Sequence, residues 1–337
     1  MAVSARSLQL AVFAGLLAAA PLALPNDYYI NILILCCFNA LIVMGLNLLM
    51  GYAGQVSLGH AAFFGLAAYT TAFVTATAGL PVWAGVPAGI AVSALVAWLI
   101  AVPTLKLQGN YLAMATLGFG IIVSIVFNEA VNITGGPSGF VGIPRLKLLG
   151  YAFTSDTAYY YLAAGVLWLA TLVSRRIIDS RTGRALRAIH VSEQAAQAMG
   201  VDIARHKRFV FVLSAVYAGV AGTLYAHHLT FVAPSSFGFN FSVQLITMVV
   251  LGGMASLWGA VAGAFFLTSL PEFLRVFEEM DILIYGAMLV ACMMFMPSGL
   301  VGGLGKLAAW LKRKLTANPT PGQKPGQKPG LKADSRG

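Results

Sequence analysis

The sequence contains very little charge. Only 9% of its 337 residues are charged, whereas 59% are hydrophobic and the mean hydropathy is +0.82. A soluble domain carries about 25% charged residues, so this chain has too few to cover a water-facing surface. The composition excludes a soluble globular protein and predicts an all-α, polytopic bundle of membrane helices.

Charge is also missing from the middle of every apolar stretch that is long enough to cross a bilayer. Ion-coupled carriers usually need an intramembrane carboxylate or a dedicated ion site, and voltage sensors need rows of arginine. The sequence also lacks the G-x-x-x-x-G-K-[ST] phosphate-binding loop. Ion coupling is therefore disfavoured. We expect no ATP hydrolysis by this chain; if ATP drives the protein, a separate subunit hydrolyses it.

Cysteines and metal-binding patterns are equally sparse. Cys36, Cys37 and Cys292 all lie in apolar runs, where each is expected to be a small core residue. The chain has no CxxC, no HExxH and no other metal-ligand spacing. The sequence therefore predicts no catalytic residue, no metal site and no cofactor in this chain.

The positive charge is concentrated in two segments. Residues 175–208 and 306–337 each contain eight of the 21 Lys and Arg residues. The positive-inside rule predicts that both are cytoplasmic, and the number of spans then places both termini there too. Nucleic-acid binding is disfavoured because no aromatic residues are interleaved with these charges. The segment 306–337 repeats Gly-Gln-Lys-Pro and is predicted to be a disordered basic tail.

Windows of about 20 apolar residues predict the membrane-spanning helices. The stretch 241–271 is too long for one crossing, so we expect two short segments joined at its central glycines. The run 8–25 resembles a signal peptide, but a retained first helix is favoured. A transmembrane domain of residues 1–305 would thus contain about nine to ten segments, some broken or re-entrant. The predicted spans are 8–25, 28–50, 58–78, 82–104, 110–128, 157–174, 209–228, 241–271 (doubled) and 282–301.

Two of these apolar segments echo one another. The stretches 51–69 and 251–266 share a glycine, then Ser-Leu, then a glycine followed by small residues. Glycine-interrupted segments at corresponding positions of two halves are typical of transport pathways built from broken helices. Ordinary close helix packing by Gly and Ala explains the pattern equally well. The glycines expected at the breaks are Gly54, Gly59, Gly252, Gly253 and Gly259.

A transport pathway needs polar groups at depths where lipid would exclude them, so polar residues in the spans are candidate pathway residues. For each residue alone, a hydrogen bond between helices is the simpler explanation. Together they indicate a mildly polar but uncharged interior. The candidates are Gln55, Ser57, His60, Asn110, Thr116, Asn128, Glu129 and Thr134.

The segment 183–208 is the longest water-compatible stretch in the first 300 residues. Ser192 is expected to cap the N-terminus of a short helix of about two turns. The negative charge of Glu193 in the first turn would interact favourably with the helix dipole, and Gly200 is expected to end the helix. Such a helix could dock into a groove of a partner and move the flanking spans as a lever, or lie solvated on anionic headgroups. Its expected contact face consists of Ala195, Ala196 and Met199.

Six blocks of sequence, in order, resemble the permeases of branched-chain amino-acid ABC importers. They read "GLNLLMGYAGQVSLGHAAFFGLAAYT", "GNYLAMATLGFG", "TGGPSGFVGIP", "GRALRAI…EQAAQAMGVDIARHK", "VVLGGMASLWGAVAGA" and "MPSGLVGG". The resemblance covers about residues 45–303 and favours the LivM-type subunit over its LivH-type partner.

This resemblance implies a complex in the cell inner membrane. Its other parts would be a second, LivH-type permease subunit, two ATPase subunits that use ATP and Mg, and a periplasmic substrate-binding protein. The resemblance also implies that an E-A-A-x-x-x-G-like loop docks on the ATPase. Here the pattern reads E-x-A-A-x-x-x-G, with Gln194 inserted, within the coupling loop 175–208. The coupling residues it implies are Arg187, Glu193, Ala195, Ala196 and Gly200.

The implied function is inward movement of leucine, isoleucine or valine, powered by the partner ATPases. Two alternatives remain open at this point. A related permease for urea or short amides would share the Ser-Leu-Gly block, and an ion-coupled secondary transporter would share the apolar spans. A membrane enzyme has no support, because the spans contain no paired acid and base and no metal set.

Overall fold

The computed structural model describes residues 2–274 except 24, 25, 106, 108, 149, 150 and 154, together with 286, 290, 294 and 299. The predicted span 282–301, apart from these four isolated residues, lies outside the described residues. The predicted tail 306–337 and Cys292 also lie outside them. Cys36 and Cys37 are buried, as the sequence predicts.

The described residues form an all-α bundle, which confirms the predicted fold class. Six of their helical segments are long and apolar enough to cross a membrane, so the protein is multi-pass. The helices are α1 (Ala2–Ala23), α2 (Asp27–Asn47), α3 (His60–Ala72), α4 (Val82–Thr104), α5 (Asn110–Glu129), α6 (Val131–Thr134), α7 (Asp156–Asp179), α8 (Arg181–Val191), α9 (Glu193–Ala198), α10 (Ile203–Leu229), α11 (Phe239–Gly252) and α12 (Leu257–Leu274). The short strands are β1 (Phe140–Val141), β2 (Lys147–Leu148), β3 (Tyr151–Ala152) and β4 (Phe231–Val232), paired antiparallel as β1–β4 and β2–β3.

Helices α2 and α10 form the centre of the bundle and run antiparallel to each other. Gly45 of α2 allows close approach, because a Cβ there would lie 2.9 Å from Cβ of Tyr217 and 3.0 Å from the carbonyl oxygen of Ser214. Helices α3 and α4 pack against α10 through similarly small residues, including Gly89 and Gly222. Small residues let helix backbones approach closely where no hydrophobic effect drives helix association.

The first helix break separates α2 from α3. Helix α2 ends in a π-helical turn, Leu48–Tyr52, and from Gly54 to Gly59 the chain is non-helical. Gly54 has a φ of +68°, a left-handed conformation that glycine adopts without strain. The predicted span 58–78 therefore begins as a helix only at His60. The non-helical segment runs between Gly54 and Gly59, the two glycines at which the sequence analysis expected a break.

The second break separates α11 from α12, so the prediction of two segments within 241–271 is confirmed. Gly253 has a φ of +114°, a backbone conformation that residues with a side chain rarely adopt. Gly252 and Gly259 lie against each other's carbonyl groups, leaving no room for a side chain on either. The glycines thus allow both the reversal of the chain and the close contact between the two short helices.

Asn47 of α2 joins the two breaks. Its Oδ1 accepts a hydrogen bond from the backbone N–H of Ala255 at 3.0 Å, and its Nδ2 donates to the carbonyl oxygen of Ser256 at 2.9 Å. The loop between α11 and α12 is therefore held by the last α-helical residue before the first break.

Replacing Asn47 with alanine should remove both bonds and lower the free energy of unfolding by about 1–3 kcal/mol, since each such bond contributes about 0.5–1.5 kcal/mol. Thermal unfolding of the chain in detergent measures this loss. Asn39→Ala is the matched control on the same helix, because Asn39 makes one hydrogen bond, to the hydroxyl of Thr268 at 2.8 Å. An equal loss in both variants would contradict the role of Asn47 as a clamp between the breaks.

The bundle has two chemically different ends. At the strand end, β1 pairs with β4, and Nδ1 of His227 donates to the carbonyl oxygen of Pro144 at 2.7 Å. At the basic end lie α8 and α9, with Gly54 of the first break beside the His190 ring. Helix α1 runs antiparallel to α7, since Tyr160 donates to the carbonyl oxygen of Leu17 and Trp168 to that of Leu10.

The predicted coupling loop 175–208 is shorter and more helical than the sequence analysis expected. Helix α7 continues to Asp179, beyond the predicted end at 174, and α10 already begins at Ile203. Between them lies α8, an 11-residue helix that the sequence analysis missed. The signal was present, because Ser180 is a capping residue and Leu186 and Ile189 are apolar at helical spacing.

Candidate functional site

Helix α8 fixes the predicted coupling loop 175–208, called the coupling segment below, against the rest of the bundle. Its N-terminus is capped by Ser180, and its apolar residues Leu186 and Ile189 are buried. Arg187 is exposed, but its guanidinium donates to the carbonyl oxygen of Ile178 near the end of α7 at 2.9 Å. In this structure Arg187 therefore ties α8 to the end of α7.

Helix α9 is the short helix that the sequence predicts. The Ser192 hydroxyl accepts from the backbone N–H of Ala195 at 3.2 Å, which is the expected N-cap. Gly200 follows the helix with a φ of +80°, and its N–H donates to the carbonyl oxygen of Gln197 at 2.9 Å. Both ends of α9 are thus where the sequence placed them.

The predicted contact face of α9 is divided in the structure. Ala195 and Met199 are exposed, with Met199 at 85% of its full exposure, whereas Ala196 is only 3% exposed. Ala196 lies on the side of the helix that packs against its own chain, because each residue of a helix is rotated by about 100° from the one before it. The prediction that all three residues share one free face is corrected accordingly.

Glu193 forms an ion pair with Lys207 of α10. The Lys207 Nζ lies 2.5 Å from the Glu193 Oε1, and the Lys207 side chain is 2% exposed. A buried ammonium needs such a partner, since an isolated charge in an apolar environment is strongly unfavourable. The ion pair attaches α9 to the first two turns of α10, a contact that the sequence analysis did not foresee.

His60, at the start of α3, links the first break to α10. Its Nδ1 lies 3.0 Å from the Ser57 hydroxyl oxygen and its Nε2 lies 2.9 Å from the Ser214 hydroxyl oxygen. Ser214 donates its own proton to the carbonyl oxygen of Phe211 at 2.8 Å, so it accepts from His60 Nε2. Nδ1 then accepts from Ser57, which assigns the Nε2–H tautomer to His60.

Two further candidate pathway residues lie at the same break. The Thr116 hydroxyl of α5 accepts from the backbone N–H of Leu58 at 3.0 Å and so holds the non-helical segment from the side of α5. Gln55 is buried, with Nε2 donating to the carbonyl oxygen of Ala53 at 3.1 Å and with Oε1 unpartnered within the described residues. The structure thus brings Gln55, Ser57, His60 and Thr116 together around the first break.

The other four candidates lie elsewhere. Asn110 is exposed at the start of α5, and Glu129 is exposed at its end. Asn128 donates to the carbonyl oxygen of Ser124 within its own helix, and Thr134 donates to that of Phe127. These residues shape the two ends of α5, and the structure does not join them to the cluster at the first break.

The two glycine breaks lie inside an apolar helical bundle, where non-helical backbone is tolerated only when it is buried in protein or lines a cavity. Broken helices of this kind are typical of membrane proteins of the transporter class. The sequence comparisons agree with this class. Residues 28–293 match the family described as the permease component of the branched-chain amino acid transport system, and the chain belongs to this family.

Curated relatives carry the same family name. The chain is 36% identical over 281 residues to the high-affinity branched-chain amino acid transport system permease protein LivM of Salmonella typhimurium, covering 77% of this chain and 66% of the relative. It is 34% identical to LivM of Escherichia coli, covering 81% and 69%. The LivH permease protein of Escherichia coli is 26% identical over 283 residues, covering 78% and 91%. The matched segment therefore spans about two thirds of the length of the LivM relatives. No solved structure matches the chain significantly.

Proposed function

We propose that the chain is one permease subunit of an ATP-driven importer that moves leucine, isoleucine, valine or a similar small amphiphile inward. Family membership and the similarity to two LivM proteins support this assignment. The relationship to LivH supports a second permease subunit as partner. Two ATPase subunits that bind ATP and Mg and a periplasmic substrate-binding protein complete the proposed complex.

The basic end of the bundle is assigned to the cytoplasm by the positive-inside rule. It contains most of the basic residues between 175 and 208, and the antiparallel packing of α1 on α7 places the start of α1 at the same end. The strand end would then face the periplasm and the substrate-binding protein. Both chain termini are proposed to be cytoplasmic.

The observation that carries the mechanism is the ion pair between Glu193 and Lys207. It connects α9, with its exposed Ala195 and Met199, directly to a membrane-spanning helix. Seven residues beyond Lys207 on α10, or about 10 Å at 1.5 Å per residue, Ser214 accepts from His60 beside the first break. A movement of α9 imposed by an ATPase would therefore reach the broken segment through two defined side-chain contacts.

The permease itself supplies no covalent chemistry in this proposal. Gln55, Ser57, His60 and Thr116 surround the first break, and all four make hydrogen bonds there. The bonds of Ser57, His60 and Thr116 hold the break in shape, so these residues would set the shape of the pathway rather than contact the substrate. Gln55 is the exception, because its Oε1 has no partner within the described residues, and we assign this atom as the group available to a passing ammonium or amide.

A charge on the exposed face of α9 tests the docking step. Met199→Asp should leave membrane insertion and thermal unfolding unchanged, because the side chain is 85% exposed. ATP-driven uptake of labelled leucine into vesicles containing the whole complex should fall at least tenfold. Met199→Leu is the matched control, since it preserves an apolar side chain of similar volume and should retain uptake.

The same vesicle assay separates the alternatives. Uptake of labelled urea in place of leucine would identify the substrate as a short amide. Uptake that persists without ATP but stops with a proton uncoupler would contradict the ATP-driven mechanism and support an ion-coupled carrier. Full leucine uptake by the Met199→Asp complex would contradict docking through the exposed face of α9.

A further inference from the structure

A groove of about 450 Å³ lies on the surface of the bundle at its basic end, between α4 and α10. It is separate from both helix breaks and from the exposed face of α9. Its lining is mostly apolar but includes two arginines. The lining residues are Trp98, Arg205, Arg208, Phe209, Val212, Leu213 and Val216.

The lining follows one face of α10. Counting from Arg205, the positions are spaced by three, four, seven, eight and eleven residues, which share one side of a helix. Both arginines lie in the first two turns, and only apolar residues follow them along this face. The groove is therefore cationic at its basic end and apolar along the rest of its length.

The dimensions of this face match one leaflet of a bilayer. The eleven residues from Arg205 to Val216 span about 16 Å along the helix axis. Half of a hydrocarbon core of about 30 Å is about 15 Å. When Arg205 and Arg208 lie at the headgroup level, the apolar part of the groove thus extends close to the bilayer midplane.

The second wall also fits the membrane interface. Trp98 is 50% exposed and lies on α4 two turns before that helix ends at Thr104. Helices α4 and α10 run antiparallel, because Ser93 donates to the carbonyl oxygen of Ala215 while Gly89, one turn earlier on α4, lies against Thr223, two turns later on α10. This packing places Trp98 beside the arginines. Tryptophan is enriched at the headgroup level, where its amphipathic ring contacts both lipid chains and polar groups.

The guanidinium groups of Arg205 and Arg208 are able to bind an anion. Within the described part of the chain, neither Arg205 nor Arg208 forms an ion pair with a carboxylate, and Arg208 Nε donates only to the carbonyl oxygen of Ala204 at 3.3 Å. Guanidinium groups bind phosphate through paired N–H donors. Two arginines one helical turn apart, above an apolar groove, match a phosphate headgroup with its attached acyl chain.

We propose that this groove binds one anionic phospholipid of the cytoplasmic leaflet. The phosphate would contact Arg205 and Arg208, and an acyl chain would lie along Phe209, Val212 and Val216 against Trp98. Basic pockets between membrane helices on the cytoplasmic side are known to bind such headgroups. The proposal rests on the assigned orientation of the basic end and is independent of the transported substrate.

The site would also stabilise the attachment of α9. Lys207 lies between the two arginines in sequence but points into the bundle, where it holds Glu193. A lipid on the outer face of the same turns would fix the helix that carries this ion pair. Lipid binding and the coupling segment therefore share the first two turns of α10.

Native mass spectrometry of the whole purified complex tests the proposal, with phosphatidylglycerol and phosphatidylcholine as the probes. Arg205→Gln/Arg208→Gln should weaken phosphatidylglycerol binding at least tenfold and leave phosphatidylcholine binding unchanged. Arg181→Gln/Arg184→Gln is the matched control, because it removes the same charge from exposed positions of α8 at the same end. This control should change binding less than twofold.

Tryptophan quenching locates the lipid independently of any arginine variant. In a chain that keeps Trp98 as its single tryptophan, brominated phosphatidylglycerol should quench the tryptophan fluorescence more strongly than brominated phosphatidylcholine does. A chain that keeps only Trp83, which is 68% exposed near the other end of α4, should show no such preference. Fluorescence in lipid nanodiscs measures both.

Three results would overturn the proposal. Equal loss of binding in the two double variants would show general attraction to a basic surface. Equal binding of the two lipids would show an apolar contact without headgroup recognition. Failure of the assembled complex to bind phosphatidylglycerol, while the wild-type chain quenches normally in isolation, would show that a partner subunit covers the groove.

Discussion

Replacing Glu193 with alanine is expected to abolish transport while leaving the membrane bundle folded. The change leaves the Lys207 ammonium buried without its partner, and removing one member of a buried ion pair costs about 3–5 kcal/mol. Because an unpaired ammonium is strongly unfavourable in this environment, we expect α10 to shift or α9 to detach. Leucine uptake in vesicles should fall at least tenfold, and hydrogen exchange of the α9 amides should accelerate.

The double variant Glu193→Ala/Lys207→Met provides the control. With both charges removed, no unpaired charge is left buried, and replacing a buried ion pair by apolar residues is often neutral or stabilising. Hydrogen exchange in α9 should therefore return towards the wild-type rate. If the single variant transports normally, or if its α9 amides exchange at the wild-type rate, the ion pair does not connect the coupling segment to α10.

Replacing His60 with leucine is expected to destabilise the first helix break by about 2–4 kcal/mol. The variant leaves the buried Ser57 hydroxyl without an acceptor, at about 1–3 kcal/mol. It also loses the edge-to-face contacts of the imidazole with Phe63 and Phe211, whose ring centroids lie 5.8 Å and 6.4 Å away. Thermal unfolding in nanodiscs measures the loss, and leucine uptake should fall with it.

A second substitution separates the hydrogen bond from the packing. His60→Leu/Ser57→Ala removes the unsatisfied hydroxyl and should recover part of the lost stability, since replacing both partners by apolar groups is nearly neutral. Uptake should remain low, because the link from the break to Ser214 is still missing. Full recovery of uptake in the double variant would show that His60 is needed only to satisfy Ser57.

Most of the architecture was predictable because it depends on local properties of the chain. The long apolar runs alone predicted the spans now seen as α2, α4, α5 and α10. The glycines marked Gly54 and Gly253 as candidate break positions, although close helix packing explained them equally well, and the structure gives both a positive φ that glycine adopts without strain. Ser192 and Gly200 likewise fixed the ends of α9.

The predictions that were wrong or missing concern features that depend on which side chains become buried in the folded chain. Ala195 and Ala196 are identical in chemistry, and only the packing of α9 on its own chain shows that one is exposed and the other buried. Helix α8 was missed because its segment is basic and polar, although it buries Leu186 and Ile189. Four of the eight candidate pathway residues lie outside the cluster around the first break. The position of a residue along a predicted span does not show which neighbouring helix its side chain will face.

The sequence by itself determined that this is a membrane-spanning helical bundle with little charge, that it belongs to the branched-chain amino acid permease family, and that it carries glycines that permit two helix breaks and a short capped helix between two spans. Hydropathy, glycine conformation and helix capping act over a few neighbouring residues, so the sequence displays them directly. Only the tertiary structure decided which polar groups meet. Lys207 pairs with Glu193 across 14 residues, and His60 meets Ser214 across 154. Such pairs form because separate helices pack together, and no local pattern encodes which helix becomes the neighbour.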